Sequence, residues 1–180
     1  MNVTDRAYAL ELDKNDPLAH FKSQFVVTDP EMCYLDGNSL GRIPKATITA
    51  INDFMVEWGA EVVTGWGHWV DEAQPTGDLL GQAALGAGPG QILVCDTTSV
   101  NFYQLCLAAV HARPGRKTII TDAANFPTDR YILDGIAKQF GLKLVLIENE
   151  DSGVAKHERI TTQVLAPYLN DDVALVTLQV

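Results

Sequence analysis

The stretch from Thr118 to Ile147, TIITDAANFPTDRYILDGIAKQFGLKLVLI, decides the fold class. It begins with a short apolar run at 118–120 and ends with a second one at 144–147, and a helical pattern lies between them over 131–140. Short, wholly apolar strands that alternate with helices are typical of a parallel sheet covered by helices on both faces. Each crossover between such strands is expected to be right-handed.

The same alternation continues on both sides of this stretch. Ile92-Leu93-Val94-Cys95 and the segment from Val173 to Leu178 are further apolar runs, and helical patterns lie near 101–111 and 160–168. The sequence therefore predicts an α/β fold with a mostly parallel sheet and helices on both faces.

The N-terminal part has a different pattern. The first thirty or so residues indicate an arm of two short helical stretches, and residues 32–35 predict a short strand. Pro44 suits the first turn of a helix whose apolar residues recur at spacings of three and four. These are Ile48, Ile51, Met55, Trp58 and Val62. A Gly- and aromatic-rich loop is predicted at 64–69, and a further helix ends near Gly86.

Length, charge and cysteine content exclude several classes of protein. The chain has 180 residues and a net charge of −10, without the clustered basic surface that nucleic-acid binding needs. It contains no apolar run of the roughly 18 residues that a membrane span requires. Three cysteines fit neither a disulfide framework nor a metal spacing, which favours the cytoplasm. The four histidines are scattered, so no metal site is predicted.

Three strand ends carry polar sequences, and ligands of open α/β sheets bind beyond the carboxyl ends of strands. The third of them, Glu148-Asn149-Glu150-Asp151, is interpreted as a solvated acidic loop and not as a site. Thr97-Thr98-Ser99 precedes a predicted helix, so these hydroxyls act either as an N-cap with spare hydroxyls or as a phosphate site. Phe126-Pro127-Thr128-Asp129 is a rigid turn that opens a helix, with Thr128 or Asp129 as its cap. In the functional interpretation, the Phe126 ring is a flat surface for stacking. Trp66 and His68 either line a pocket for a planar substrate or pack against the arm.

Taken in order, these motifs resemble kynureninase, a pyridoxal-phosphate enzyme of the large aminotransferase fold. The octapeptide from Tyr34 to Gly41 and the Phe126–Asp129 turn are the most specific parts of the resemblance. Trp66 with its glycine neighbours, the segment 96–101 and Asp16-Pro17-Leu18-Ala19 add to it. The similarity covers nearly the whole chain and preserves the spacing of the motifs.

The resemblance implies roles for individual residues. Thr98 and Ser99 would bind the phosphate of pyridoxal 5′-phosphate, and Phe126 would stack on its pyridine ring, with Pro127 fixing the approach. Thr128 and Asp129 would hydrogen-bond around the ring substituents. Three further residues would face the aromatic end of the substrate; these are Ser39, Trp66 and His68.

The resemblance also implies an activity and an assembly. The family hydrolyses L-kynurenine, or its 3-hydroxy form, to the corresponding anthranilate and L-alanine in tryptophan catabolism. Its members are homodimers with sites at the subunit interface. A kynureninase fold would divide this chain into an N-terminal arm with a short strand over 1–40 and an incomplete large cofactor-binding domain over 41–180.

One departure from the family concerns the Schiff-base lysine, which in kynureninases immediately follows a tyrosine. None of the seven lysines in this sequence follows a tyrosine. The sequence is therefore expected to be an N-terminal portion with half a cofactor site, no catalytic lysine and no activity of its own. Two alternatives stay open: another enzyme of the same fold, such as a desulfurase or lyase, and a non-catalytic fragment that binds a partner's interface.

Overall fold

A computed structural model describes residues 2–148 and 160–179, so residues 149–151 of the predicted acidic loop lie outside the described residues. The chain divides into two compact units, Met1–Glu72 and Ala73–Val180, and each is described by itself. The boundary expected at residue 40 separates an arm from a cofactor-binding domain by function, which a division into compact units does not test, so it stays a prediction.

The first unit is helical. Its segments are α1 (Arg6–Lys14), a 3₁₀ helix (Ala19–Gln24), α2 (Lys45–Glu61), a second 3₁₀ helix (Val62–Gly65) and α3 (Trp66–Trp69). The helix expected after Pro44 is confirmed as α2, and Pro44 itself is the N-cap residue. The residues of its apolar stripe are all exposed, since α2 has no buried side chain.

Residues 32–35 do not form the expected strand. A strand is stabilised by a partner that pairs with its backbone groups, and this segment has none among the described residues. The chain is paired on either side of it instead, by an isolated bridge between Phe25 and Pro44 and by the bond from the Val26 N–H to the Ile43 carbonyl (3.0 Å).

The prediction of a loop at 64–69 is also wrong. Residues 64 and 65 end the second 3₁₀ helix, and residues 66–69 form α3. Gly65 permits the tight turn, since a Cβ at this position would overlap the Trp69 ring.

The second unit contains a three-stranded parallel sheet in the order β2-β1-β3. Its strands are β1 (Thr118–Asp122), β2 (Lys143–Ile147) and β3 (Val173–Thr177). Its helical segments are α4 (Ala73–Leu80), a π-helical turn (Gly81–Leu85), α5 (Thr98–His111), α6 (Pro127–Phe140), α7 (Thr162–Leu165) and a 3₁₀ turn (Ala166–Tyr168). No helix among the described residues is both long enough and apolar enough to cross a bilayer.

Helices cover the sheet on both faces, which confirms the predicted α/β fold. Ile119 packs with buried residues of α5 and α6, whereas its neighbour Ile120 points to the opposite face. That face is covered by the segment that includes α7, through Val164 and Leu165. The crossover from β1 to β2 and the crossover from β2 back past β1 to β3 run in opposite directions across the sheet, so they lie on opposite faces when both have the same hand.

The fourth predicted strand, Ile92-Leu93-Val94-Cys95, is absent. Its backbone groups bond to α4 instead: the Ile92 carbonyl accepts from Gln74 Nε2 (3.0 Å), and the Val94 N–H donates to the Ala73 carbonyl (3.3 Å). Gly77 of α4 has no Cβ, which lets the helix backbone lie directly against the Ile92 carbonyl. An apolar run therefore does not become a strand where a helix takes its hydrogen bonds.

Candidate active site

The candidate site of the second unit lies at the carboxyl edge of the sheet. α6 follows β1, so its N-terminus lies at that edge. α5 ends shortly before β1, packs against α6 and β3, and is about 21 Å long at 1.5 Å per residue. Its N-terminus is therefore at the carboxyl edge as well, where ligands of open α/β sheets bind.

The N-terminus of α5 is built by local hydrogen bonds. Thr97 is the N-cap residue, and its Oγ1 accepts from the Val100 N–H at 3.3 Å. Asp96 has a left-handed backbone with φ of 47°, which turns the chain into the helix. Asn101 closes the turn from the other side, because its Nδ2 donates to the Cys95 carbonyl at 2.8 Å.

Thr98 and Ser99 are the first two residues of α5, and the cap at Thr97 leaves their hydroxyls spare. Thr98 is exposed and Ser99 is half-buried. Their backbone N–H groups belong to the first turn, which has no intrahelical acceptors for them, and the helix dipole favours an anion there. The capping residue is Thr97, and the phosphate site at Thr98 and Ser99 stays a prediction, for which these adjacent groups are suitable donors.

Phe126 and Pro127 open α6. Pro127 occupies the first helical position, so the N-cap residue is Phe126, and the prediction of Thr128 or Asp129 as cap is wrong. The Phe126 carbonyl accepts from the N–H groups of Asp129 (3.0 Å) and Arg130 (3.2 Å). Phe126 is 58% exposed although it has a large apolar side chain, so an apolar surface is available at the edge of the sheet.

Thr128 and Asp129 lie in the first turn of α6, and both are half-buried. Burial, with the Asp129 carboxylate as a second cause, raises the pKa of the Cys106 thiol on α5 to about 11. Next to them, Arg130 has a buried Nε without a hydrogen-bond partner among the described residues. A buried donor left unpaired is costly, so this guanidinium is suited to an additional acceptor.

Three buried polar residues precede Phe126 in the chain, and the predicted site assigned no role to them. Thr121, Asp122 and Asn125 are the buried polar residues of the described chain. The signal was present in the sequence, because polar residues directly follow the buried run 118–120 at a strand end.

Ser39 lies in the first unit, in the turn that follows Asp36. Its N–H donates to the Asp36 carbonyl (3.1 Å), and the hydroxyl of Tyr34 donates to the carbonyls of Asp36 and Leu40. Arg42 lies over the Tyr34 ring, with its guanidinium carbon 5.2 Å from the ring centroid. Tyr34 thus closes the octapeptide into a compact loop that presents an exposed Ser39.

Trp66 and His68 lie in α3 of the same unit. The Trp66 ring is exposed, whereas His68 is held by carboxylates of α2: its Nε2 lies 2.7 Å from Glu57 Oε1 and its Nδ1 lies 3.9 Å from Glu61 Oε2. Trp69 Nε1 donates to the same Glu57 oxygen at 2.7 Å. The hydrogen bond to Glu57 raises the pKa of His68, and the hydrogen bonds from His68 and Trp69 lower the pKa of Glu57.

The sequence did not reveal this histidine–carboxylate group, because His68 and Glu57 are 11 positions apart and show no metal-ligand spacing along the chain. Glu57 and Glu61 are one helical turn apart on α2, and one oxygen of each carboxylate and one nitrogen of His68 lie within 4.8 Å of one another. Such a group has the donor types of a metal site, and His68 Nε2 is already hydrogen-bonded to Glu57, whereas Glu61 lies at ion-pair distance only.

The comparisons with known proteins point to one family. The chain is 33% identical to a kynureninase of Pseudomonas fluorescens over 177 residues, which covers 93% of this chain. It is 38% identical to a kynureninase of Deinococcus radiodurans over 144 residues (76% of this chain). A kynureninase of Burkholderia pseudomallei is 38% identical over 143 residues (75% of this chain). The chain is a relative of the kynureninases.

The similarity to kynureninases extends over most of this chain but over a smaller part of those proteins. The chain spans 42% of the Pseudomonas protein, 35% of the Deinococcus protein and 34% of the Burkholderia protein. No family model matches the chain. The kynureninase relationship thus agrees with the resemblance carried by the octapeptide and the Phe126–Asp129 turn.

Proposed function

We propose that this chain is the cofactor-binding part of a pyridoxal-phosphate-dependent hydrolase that cleaves L-kynurenine, or its 3-hydroxy form, to the anthranilate and L-alanine. The similarity to kynureninases supports the reaction. The observation that carries the assignment of the site is the exposed Phe126 ring at the same sheet edge as the N-terminus of α5.

Thr98 and Ser99 are proposed to hold the cofactor phosphate. A phosphate at this position would accept from backbone N–H groups of the first turn and from the two hydroxyls, and the helix dipole would favour its negative charge. The net charge of the chain is −10, so a local site of this kind is needed to bind an anion.

Phe126 is proposed to stack on the pyridine ring, with Pro127 restricting the backbone that carries it. Thr128 and Asp129 follow in the same turn, where their side chains can hydrogen-bond to ring substituents. The buried Nε of Arg130 is a further donor beside them. The donor set of this edge therefore fits a planar ring that carries a phosphate.

When bound, the cofactor withdraws electrons from the α-carbon of the substrate, and water then cleaves the side-chain carbon–carbon bond. The residues of this chain bind and orient the reactants. We assign Ser39, Trp66 and His68 to the aromatic end of the substrate, and we propose a cytoplasmic homodimer as the active assembly. The three free thiols, Cys33, Cys95 and Cys106, are compatible with a reducing compartment.

The covalent step of such an enzyme requires a lysine that follows a tyrosine in the family, and no tyrosine of this sequence is followed by lysine. We therefore expect the 180-residue chain to bind the cofactor without hydrolysing kynurenine.

The binding test uses pyridoxine 5′-phosphate, which has the ring and the phosphate but no aldehyde, so that surface lysines cannot react with it. Equilibrium dialysis of the chain should show saturable binding. Phe126→Ala should weaken it by up to about tenfold, the equivalent of a lost aromatic contact. The double variant Thr98→Val with Ser99→Ala should weaken it as well, and it should also weaken the binding of inorganic phosphate.

Phe21→Ala, which removes an exposed phenyl ring of the first unit, is the matched control and should bind like the unaltered chain. Absence of saturable binding in the unaltered chain would overturn the assignment of the cofactor site. Release of fluorescent anthranilate from kynurenine by the chain alone would overturn the expectation that it is inactive.

A further inference from the structure

Asn125 is a buried amide at the turn between β1 and α6. Only 3% of the residue is exposed, so both ends of its side chain need hydrogen-bond partners within the protein. Its Nδ2 donates to Thr121 Oγ1 at 2.8 Å, and its Oδ1 accepts from the Phe126 N–H at 2.7 Å. The amide therefore joins β1 to the residue that precedes α6.

The connection extends across the sheet. Thr121 is fully buried on β1 and is the register partner of Thr177 on β3. The Thr177 hydroxyl lies 3.2 Å from Thr121 Oγ1, to which it donates. Thr177, Thr121 and Asn125 thus form a continuous chain of hydrogen bonds, which we call the Asn125 bridge, from β3 through β1 to the backbone of Phe126.

The backbone of Phe126 is hydrogen-bonded on both sides, by the Asn125 bridge at its N–H and by the first turn of α6 at its carbonyl. The Phe126 N–H is held by Asn125, its carbonyl accepts from the first turn of α6, and the next residue is Pro127. The turn before Phe126 is also hydrogen-bonded, since the Asn125 N–H donates to the Asp122 carbonyl at 3.3 Å. The backbone of Phe126 is thus bonded on both sides, while the residue is exposed at the sheet edge.

We propose that Asn125 is a positioning residue for cofactor binding: through the Asn125 bridge it fixes the backbone from which Phe126 presents its ring. This inference rests on the proposed function, in which Phe126 stacks on the pyridine ring. The energy of a stacking contact depends on the offset and tilt of the two rings. A backbone that is fixed before binding therefore favours cofactor affinity, because less conformational freedom is lost on binding.

Loss of the Asn125 bridge should change ligand affinities differently from a general loss of fold stability. Loss of ring orientation weakens the binding of a ligand that has a ring, but not the binding of phosphate at the N-terminus of α5. A general loss of fold stability would weaken both. The ratio of the two affinities therefore separates positioning from stability.

The test compares Asn125→Ala with the unaltered 180-residue chain, with pyridoxine 5′-phosphate and inorganic phosphate as the probes. We expect Asn125→Ala to weaken the binding of pyridoxine 5′-phosphate by up to about tenfold, the size of the stacking contact, and to leave phosphate binding unchanged. Amide hydrogen exchange followed by NMR should show faster exchange at the Phe126 N–H, which has lost its acceptor.

A gentler pair of variants covers the case in which Asn125→Ala fails to fold. Thr121→Val keeps the shape of the side chain and removes the hydroxyl, whereas Thr121→Ser keeps the hydroxyl. We expect Thr121→Val to lower the affinity for pyridoxine 5′-phosphate and Thr121→Ser to retain it.

Asn170→Ala is the matched control. Asn170 also bonds through both ends of its amide, accepting from the Asp172 N–H (2.9 Å) and donating to the Tyr168 carbonyl (3.3 Å), but it precedes β3 at the opposite edge of the sheet. Its loss should leave the affinities for both probes unchanged.

The outcomes separate this inference from the proposed function. If the unaltered chain does not bind pyridoxine 5′-phosphate, the proposed assignment of the cofactor site is wrong and the positioning role falls with it. If the unaltered chain binds and Phe126→Ala weakens binding, but Asn125→Ala and Thr121→Val do not, the positioning role alone is overturned. An equal loss of affinity for both probes would also overturn it.

Discussion

The two compact units of the chain differ in what their apolar side chains contact. In the second unit, two clusters of buried residues form around neighbouring residues of β1, with Ile119 in one and Ile120 in the other. In the first unit, Ile48, Ile51, Met55 and Trp58 follow a regular helical period along α2, yet all are at least 40% exposed. Amphipathic periodicity therefore produces a helix in both units, but only a sheet that offers a complementary face produces a core.

The largest expected effect is a difference in the free energy of unfolding between a variant in the core of the second unit and a variant on the exposed apolar side of α2. Leu133→Ala removes a fully buried side chain of α6 and should lower the free energy of unfolding by about 2–5 kcal/mol. Ile51→Ala removes a side chain of α2 at a residue that is 54% exposed, and it should change the free energy of unfolding by less than about 0.5 kcal/mol. Urea denaturation followed by circular dichroism measures both, and equal losses would contradict the difference between the units.

A second large effect concerns the thiols. Burial raises the pKa of Cys106 to about 11 from an ordinary value of 9.0, whereas Cys33 and Cys95 are exposed. A rise of this size corresponds to about a hundredfold less thiolate, and the thiol is also buried, so Cys106 should react much more slowly than the two exposed thiols with a thiol reagent at pH 8.

Ellman titration of the native chain should therefore show two fast thiols and a third that reacts fully only in denaturant. Cys106→Ala should abolish the slow phase. Three fast thiols in the native chain would indicate that the second unit is not packed as described.

A smaller effect tests backbone strain in the first unit. Val62 ends α2 with φ of 51° and ψ of −120°, a conformation that suits glycine and is strained in a β-branched residue. Because its side chain is exposed, Val62→Gly loses little packing and should stabilise the chain by about 1 kcal/mol. Val63→Gly, next to it but without a positive φ, should instead destabilise it slightly, as seen by thermal unfolding of both variants.

The smallest effect is the pH dependence of the His68–Glu57 pair in the first unit. The pKa of His68 is raised, so its contribution to stability is complete below the ordinary value of 6.5 and is lost as pH rises through the higher folded-state pKa. The pKa of Glu57 is lowered, so its contribution is present above the ordinary 4.5 and is lost as pH falls through the lower folded-state value. The pair should therefore contribute most between these two ordinary values.

The matching measurement is the difference in urea midpoint between the unaltered chain and His68→Gln at pH 5.5 and at pH 8.5. We expect a larger difference at pH 5.5. A difference that does not change with pH would show that the exposed pair contributes through packing or neutral hydrogen bonding alone.

The helices and strands of the second unit could be predicted from sequence because their signals are local. Pro127 at the start of α6 and Gly141 at its end, with φ of 63°, mark the helix in the sequence. The runs at 118–120, 144–147 and 173–178 became β1, β2 and β3. The run at 92–95 has the same composition, but its outcome depended on a partner strand, and α4 took its backbone hydrogen bonds instead.

The candidate site was predictable only in part. The first turns of α5 and α6 were visible as hydroxyl-rich and Pro-containing motifs, since capping chemistry is read from adjacent residues. The contact between Thr121 and Thr177 joins residues 56 positions apart, and His68 reaches Glu57 across 11 positions. No local pattern encodes such contacts, because they depend on strand register and on how one helix turns back on another.

The sequence by itself determined that α2 follows Pro44, that α6 ends at Gly141, which faces are apolar and which polar residues follow the strands, because these properties depend on neighbours within a few positions. Only the tertiary structure decided which apolar faces are buried, which apolar runs pair as strands and how Asn125 holds Phe126. Burial and hydrogen-bond pairing need a complementary surface from a distant part of the chain, and two segments with the same local pattern differ when only one of them meets that surface.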